Sequence, residues 1–106
     1  MEICGAIKSY EWGAVGNNSK VAQLALNNDE KFRKEFGEQT PFAELWMGDH
    51  VSGPSVVKQS GESLIDLVNK DKSVIGQMEK LPFLFKVLSI NKPLSIQTHP
   101  NKVSLT

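Results

Sequence analysis

Gln97 and His99 stand two residues apart in the run Leu94-Ser95-Ile96-Gln97-Thr98-His99. On an extended strand successive side chains point to opposite faces, so Ser95, Gln97 and His99 share one face and Leu94, Ile96 and Thr98 the other. Neighbours on a face are about 7 Å apart. An amide oxygen and an imidazole nitrogen so placed can both reach one metal ion, and imidazole suits Zn²⁺. Two ligands do not make a site, and on spacing alone a solvent-facing polar strand side accounts for the same pattern.

Lys86 is a second oddity. In residues 83–90 it alternates onto the face of Leu84, Leu88 and Ile90, where apolar groups point. An ammonium there needs an anionic partner or a substrate phosphate, or it reaches past the strand end to water. Glu44 sits in Phe42-Ala43-Glu44-Leu45-Trp46, sharing a face with two aromatic residues. Either a functional role or a rim position with a lysine partner explains a carboxylate in that setting. Trp12, beside Tyr10 and before Gly13, has the flat apolar face that stacks on a sugar ring, and equally that of a core tryptophan. His50 follows Gly48-Asp49 and reads as a solvated turn histidine. Cys4, the sole cysteine, sits in an apolar opening strand and reads as packing. No Gly-rich phosphate loop, Cys-x-x-Cys pair or nucleophile elbow occurs.

Short elements must position these groups. Residues 1–10, 42–47, 55–58, 83–90 and 94–99 have strand character, and Asn91-Lys92-Pro93 predicts a hairpin between the last two. Asn17, Asn18 and Ser19 offer cap oxygens to a helix with Val21, Leu24 and Ala25 on one side. A second helix is expected over residues 29–36, with Phe32 and Phe36 four apart and Gly37 as its stop. Ser63 caps a third, striped by Leu64, Leu67 and Val68. The fold class is therefore β-rich α+β.

Composition narrows the functional classes. The 106 residues carry 12 Lys+Arg against 12 Asp+Glu, and this zero net charge argues against a basic nucleic-acid footprint and a polybasic membrane patch. No apolar run approaches the roughly 18–20 residues that cross a bilayer. With one cysteine an internal disulfide cannot form, and a reducing cytosol is the expected compartment.

Four blocks occur in order: Tyr10-Glu11-Trp12-Gly13, then Pro41-Phe42-Ala43-Glu44-Leu45-Trp46-Met47-Gly48. Leu81-Pro82-Phe83-Leu84-Phe85-Lys86-Val87-Leu88 follows, and last comes Pro93-Leu94-Ser95-Ile96-Gln97-Thr98-His99-Pro100-Asn101-Lys102. Across about residues 6–102 the chain closely resembles the start of the type I mannose-6-phosphate isomerases. The resemblance implies an incomplete cupin-type (jelly-roll) β-barrel with short helices, residues 1–106 being a single N-terminal portion of a catalytic domain. It implies a zinc-dependent cytosolic isomerase that interconverts mannose 6-phosphate and fructose 6-phosphate and feeds GDP-mannose synthesis. It assigns Gln97 and His99 as the first two ligands of one Zn²⁺, with the remaining ligands beyond the chain's end. It places Ser95 on the substrate phosphate, Lys86 and Glu44 along the catalytic site, and Trp12 in its substrate-binding wall. Neither nucleic acid nor membrane is an expected partner. The isolated chain is expected to be inactive, and the alternative is a non-catalytic cupin-like piece that binds a sugar phosphate or a full-length partner.

Overall fold

A computed structural model describes residues 1–26 and 39–96. The chain opens with β1 (Ile3–Cys4) and β2 (Ala6–Lys8), which join different sheets. The expected single opening strand is thus broken at Gly5, where a Cβ would lie 2.6 Å from the Trp46 carbonyl oxygen. Only a glycine admits that approach as the chain crosses from one sheet to the next. β3 (Ala14–Val15) follows, then a single 3₁₀ turn (Gly16–Asn18) and helix α1 (Lys20–Leu26). After residue 38 come β4 (Pro41–Phe42), β5 (Glu44–Met47) and β6 (Val56–Val57). Helix α2 (Leu64–Lys70), a 3₁₀ turn (Lys72–Ile75) and β7 (Phe85–Leu88) complete the described elements. No helix among them is long and apolar enough to cross a membrane.

Three small antiparallel sheets result: β1 with β6, β3 with β4, and β2-β5-β7 with β5 in the centre. Cross-strand partners define two faces of the three-stranded sheet. Ile7, Leu45 and Val87 lie side by side on one, while the rows Lys8-Glu44-Leu88 and Ala6-Trp46-Lys86 occupy the other. The first face packs on the core of Val21, Ala22, Ala25, Phe42 and Leu45. Full burial of a side chain such as Phe42 or Val21 is worth about 1.5–3 kcal/mol, which holds α1 to the sheet. The second face is left for the polar groups.

Two serines tie the helix to the strands. Ser19 caps α1 as expected, its Oγ accepting from the Ala22 N–H while donating to the Phe42 carbonyl at 2.7 Å. Ser89 Oγ accepts from the Val21 N–H at 2.9 Å, a second cap supplied from beyond β7. The helix presents Val21, Ala22 and Ala25 to the core, whereas Leu24 is 37% exposed. Ser63 caps α2 through the Ile65 N–H, with Leu64 and Val68 buried.

The sequence expectations are met unevenly. Phe42 does not share a face with Glu44 and Trp46: pairing switches at Ala43, from β3 on one side to β2 on the other. Alternation resets there and Phe42 enters the core. The expected hairpin between residues 83–90 and 94–99 is not formed over residues 91–96. The Asn91 and Lys92 N–H groups instead donate to the Trp12 carbonyl at 2.8 and 3.2 Å, drawing the segment across the Tyr10–Gly13 turn. Ile90 makes only a single bridge to Gly13. Large apolar groups on β7 and after it, Phe85, Ile90 and Ile96 among them, face outward. The sheets are open, so no closed barrel is formed among the described residues. The helix expected over residues 29–36 lies outside them.

Candidate functional site

The polar face of the three-stranded sheet forms the floor of a cavity of about 660 Å³. β5 supplies Glu44 and Trp46 to it, and β7 supplies Lys86 and Leu88. These four alternate with core-facing residues, so the strand period alone sends them to one side. The Tyr10–Gly13 turn, closed by the Gly13 N–H donating to the Tyr10 carbonyl at 2.9 Å, adds Tyr10 and Trp12. Their rings stack with centroids 5.7 Å apart and planes 24° from parallel. Pro93, Leu94 and Ser95 form the remaining rim, held there by the Trp12 carbonyl and by the Lys92–Glu11 ion pair at 3.3 Å.

The electrostatic centre is a carboxylate whose two oxygens both have partners. Lys86 Nζ lies 3.3 Å from Glu44 Oε1, and the Trp46 indole N–H donates to Glu44 Oε2 at 3.3 Å. The Glu44 side chain is only 8% exposed, whereas that of Lys86 is 40% exposed. Burial makes the carboxylate dependent on these partners, and the lysine presents its ammonium to the cavity. Lys86 Nζ also lies 5.6 Å from the Trp46 ring centroid. An aromatic wall, a buried anion and a reachable cation can hold a polyhydroxy ligand with an anionic group.

Four residues singled out in the sequence, Trp12, Glu44, Lys86 and Ser95, are thereby brought to one cavity. The two readings of Glu44 merge: it has a lysine partner and it lines a concave site. Gln97 and His99 lie outside the described residues. Among the described residues no group of three or more His, Cys, Asp or Glu side chains is placed to hold a metal ion. Tyr10, Trp46, Leu88 and Leu94 were not singled out as site residues. Trp46 had a signal in its alternation with Glu44, and Tyr10 had one in its place beside Trp12.

His50 is exposed, as expected for a turn. Its Nδ1 accepts from the Ser52 N–H at 3.1 Å and its ring meets Trp46 edge-on at 5.2 Å. It lines a separate cavity of about 440 Å³ with Asp49, Lys80 and Phe83. Cys4 is a half-buried free thiol on β1.

The chain matches the type I phosphomannose isomerase catalytic domain over residues 1–105. The mannose-6-phosphate isomerase of Schizosaccharomyces pombe is 49% identical over 102 residues, covering 91% of this chain and 24% of that protein. The Homo sapiens mannose-6-phosphate isomerase is 41% identical over 106 residues, covering 92% of this chain and 25% of the relative. Among solved structures, the apo form of mannose 6-phosphate isomerase from Salmonella typhimurium aligns with a TM-score of 0.65 at 34% identity. That alignment covers 94% of this chain and 24% of the other. A mannose 6-phosphate isomerase bound with zinc and yttrium aligns with a TM-score of 0.64 at 35% identity, covering 94% and 25%. The chain thus spans about a quarter of the length of the relatives it matches. With a match running through nearly every residue, the chain belongs to the type I phosphomannose isomerase family.

Proposed function

We propose that this chain carries one wall of the sugar-phosphate site of a mannose-6-phosphate isomerase, within a longer cupin-type barrel. The observation that carries the reading is the Glu44–Lys86 pair, set on the floor of a cavity that also gathers Trp12 and Ser95. The substrates are mannose 6-phosphate and fructose 6-phosphate, in a cytosolic step that feeds GDP-mannose synthesis.

Interconversion removes the proton from C2 of the aldose, leaving an enediolate across C1 and C2. A proton then returns to C1, and the hydroxyl proton moves from O2 to O1, giving the ketose. Such a reaction needs a proton carrier, and positive charge where the oxygens become anionic. Lys86 supplies that charge from the cavity floor, held and aimed by Glu44. Trp12 packs against the carbon skeleton of the sugar. Ser95, on the rim, holds the phosphate with its hydroxyl.

Gln97 and His99, an amide oxygen and an imidazole, suit a borderline metal and would supply two ligands to zinc. When bound, zinc would act as a Lewis acid on the substrate's carbonyl and hydroxyl oxygens.

The test is binding of mannose 6-phosphate to the chain by calorimetry, together with an isomerase assay on the same preparation. Binding that is lost in Lys86→Met and weakened in Ser95→Ala supports the reading. No binding, or binding indifferent to both substitutions, overturns it. Binding without turnover is the outcome expected of one wall of the site, and restoration of turnover by the rest of the barrel separates this reading from the alternative of a non-catalytic sugar-phosphate-binding piece.

A further inference from the structure

We infer that Trp46 is a positioning residue, holding the Glu44 carboxylate and through it the Lys86 ammonium at the cavity floor. Three contacts converge on this indole. Its N–H donates to Glu44 Oε2 at 3.3 Å, Lys8 Nζ stands 4.6 Å from its ring centroid, and the His50 ring meets it edge-on at 5.2 Å. Lys8 is itself tied by a hydrogen bond to the Ser52 carbonyl. Ammonium groups are attracted to the negative face of an indole, and removing water from the contact strengthens the attraction.

The geometry of β5 makes this coupling unavoidable. Glu44 and Trp46 are two residues apart on one face, so a carboxylate leaning along the strand meets the indole edge. A Glu44 held by Lys86 alone has one oxygen anchored and can swing about that contact. With the second oxygen on Trp46, its direction is set. Lys86 pairs with the other oxygen, so its ammonium takes its aim from the same anchor. A line of contacts therefore runs from the Ser52 carbonyl through Lys8, Trp46 and Glu44 to Lys86. Lys8 and His50 do not line the cavity, yet both act on it through one ring. The consequence for sugar phosphate rests on the function proposed above, whereas the indole–carboxylate coupling does not.

The test uses the full 106-residue chain labelled with ¹⁵N. Its two tryptophans give two indole N–H cross-peaks, which Trp46→Phe assigns. Glu44→Gln and Glu44→Asp should each move the Trp46 cross-peak, and Lys8→Met should move it as well. Asp66→Asn on α2 should not. Trp46→Phe keeps a ring for both ammonium groups but removes the N–H, and should weaken mannose 6-phosphate binding about tenfold with an unchanged far-UV spectrum. A Trp46 cross-peak unmoved by either Glu44 substitution overturns the inference, whatever the ligand does. Unchanged affinity in Trp46→Phe overturns it too. Should Glu44→Gln lose its fold, Glu44→Asp decides. Failure of the unsubstituted chain to bind mannose 6-phosphate overturns the proposed function and leaves positioning to be decided by the Glu44 variants.

Discussion

Lys86 Nζ sits 3.3 Å from Glu44 Oε1 although the two residues belong to different rows of the sheet: Lys86 faces Trp46 across the ladder, and Glu44 faces Leu88. The pair is diagonal, spanned by a long lysine side chain that reaches toward a carboxylate with little water of its own. The members are unequal, because the buried carboxylate needs the lysine more than the half-exposed lysine needs the carboxylate.

That inequality is measurable. Lys86→Met should destabilise the chain by about 1–3 kcal/mol, chiefly by leaving a buried carboxylate short of a partner. Adding Glu44→Gln should restore part of the loss, because a neutral amide is cheaper to bury. Urea unfolding of both single variants and the double variant yields the coupling, expected at about 0.5–3 kcal/mol. Strict additivity of the two losses would show that the pair does not interact.

Zinc binding should be weak in this chain. Gln97 and His99 are the two ligands proposed here, and catalytic zinc sites normally take three protein ligands. Equilibrium dialysis should find no tight one-to-one binding, and His99→Ala should remove whatever binding exists. Tight stoichiometric zinc retained in His99→Ala would place the metal on residues other than those proposed.

Ser89 offers a test of how α1 is held. Its hydroxyl accepts from the buried Val21 N–H, and its backbone N–H donates to the Ala43 carbonyl at 2.8 Å. Ser89→Ala should cost about 1–3 kcal/mol by orphaning that N–H, and Ser89→Thr, which keeps the oxygen, should cost less if its methyl is accommodated. Thermal unfolding of both variants checks the order. Equal loss in both would assign the effect to packing rather than to the cap.

Acid should loosen the turn after α2. Asp71 accepts from the Ser73 hydroxyl at 2.5 Å and the Ser73 N–H at 3.0 Å, and these bonds hold its carboxyl below the ordinary 3.8. A carboxylate favoured in the fold contributes its stability above the unfolded value and loses it as pH falls through the folded one. The contribution should therefore be complete at neutral pH and vanish in strong acid. Glu79 follows the same sign, its carboxyl lowered by the Lys72 ammonium. Asp71→Asn should flatten the acid limb of a stability profile, and the difference from wild type should persist at high salt, because hydrogen bonds from Ser73 rather than long-range charge set the shift. An acid limb identical in wild type and Asp71→Asn would contradict this.

Much of this protein was legible from residue order alone. Ser19 and Ser63 cap helices because a side-chain oxygen ahead of an apolar stripe satisfies free N–H groups wherever it occurs. The isomerase family was legible too, through four blocks running from Tyr10 to Lys102, and Glu44 and Lys86 stood out as charges on apolar strand faces. Such features depend on neighbours within a few residues, or on motifs kept intact along the chain.

Tertiary structure decided what local order does not encode. Phe42 left the face predicted for it because β4 and β5 pair with different strands on either side of Ala43, and alternation holds only within a continuous ladder. Residues 91–96 did not return along β7, because the Trp12 carbonyl, some 80 residues earlier in the chain, takes the N–H groups of Asn91 and Lys92. Trp46 became the hub of the polar face only once β2 brought Lys8 beside it. A sequence states which groups can bond; which of several competent partners arrives is settled by strand pairing over long separations, where packing against α1 selects one register from many.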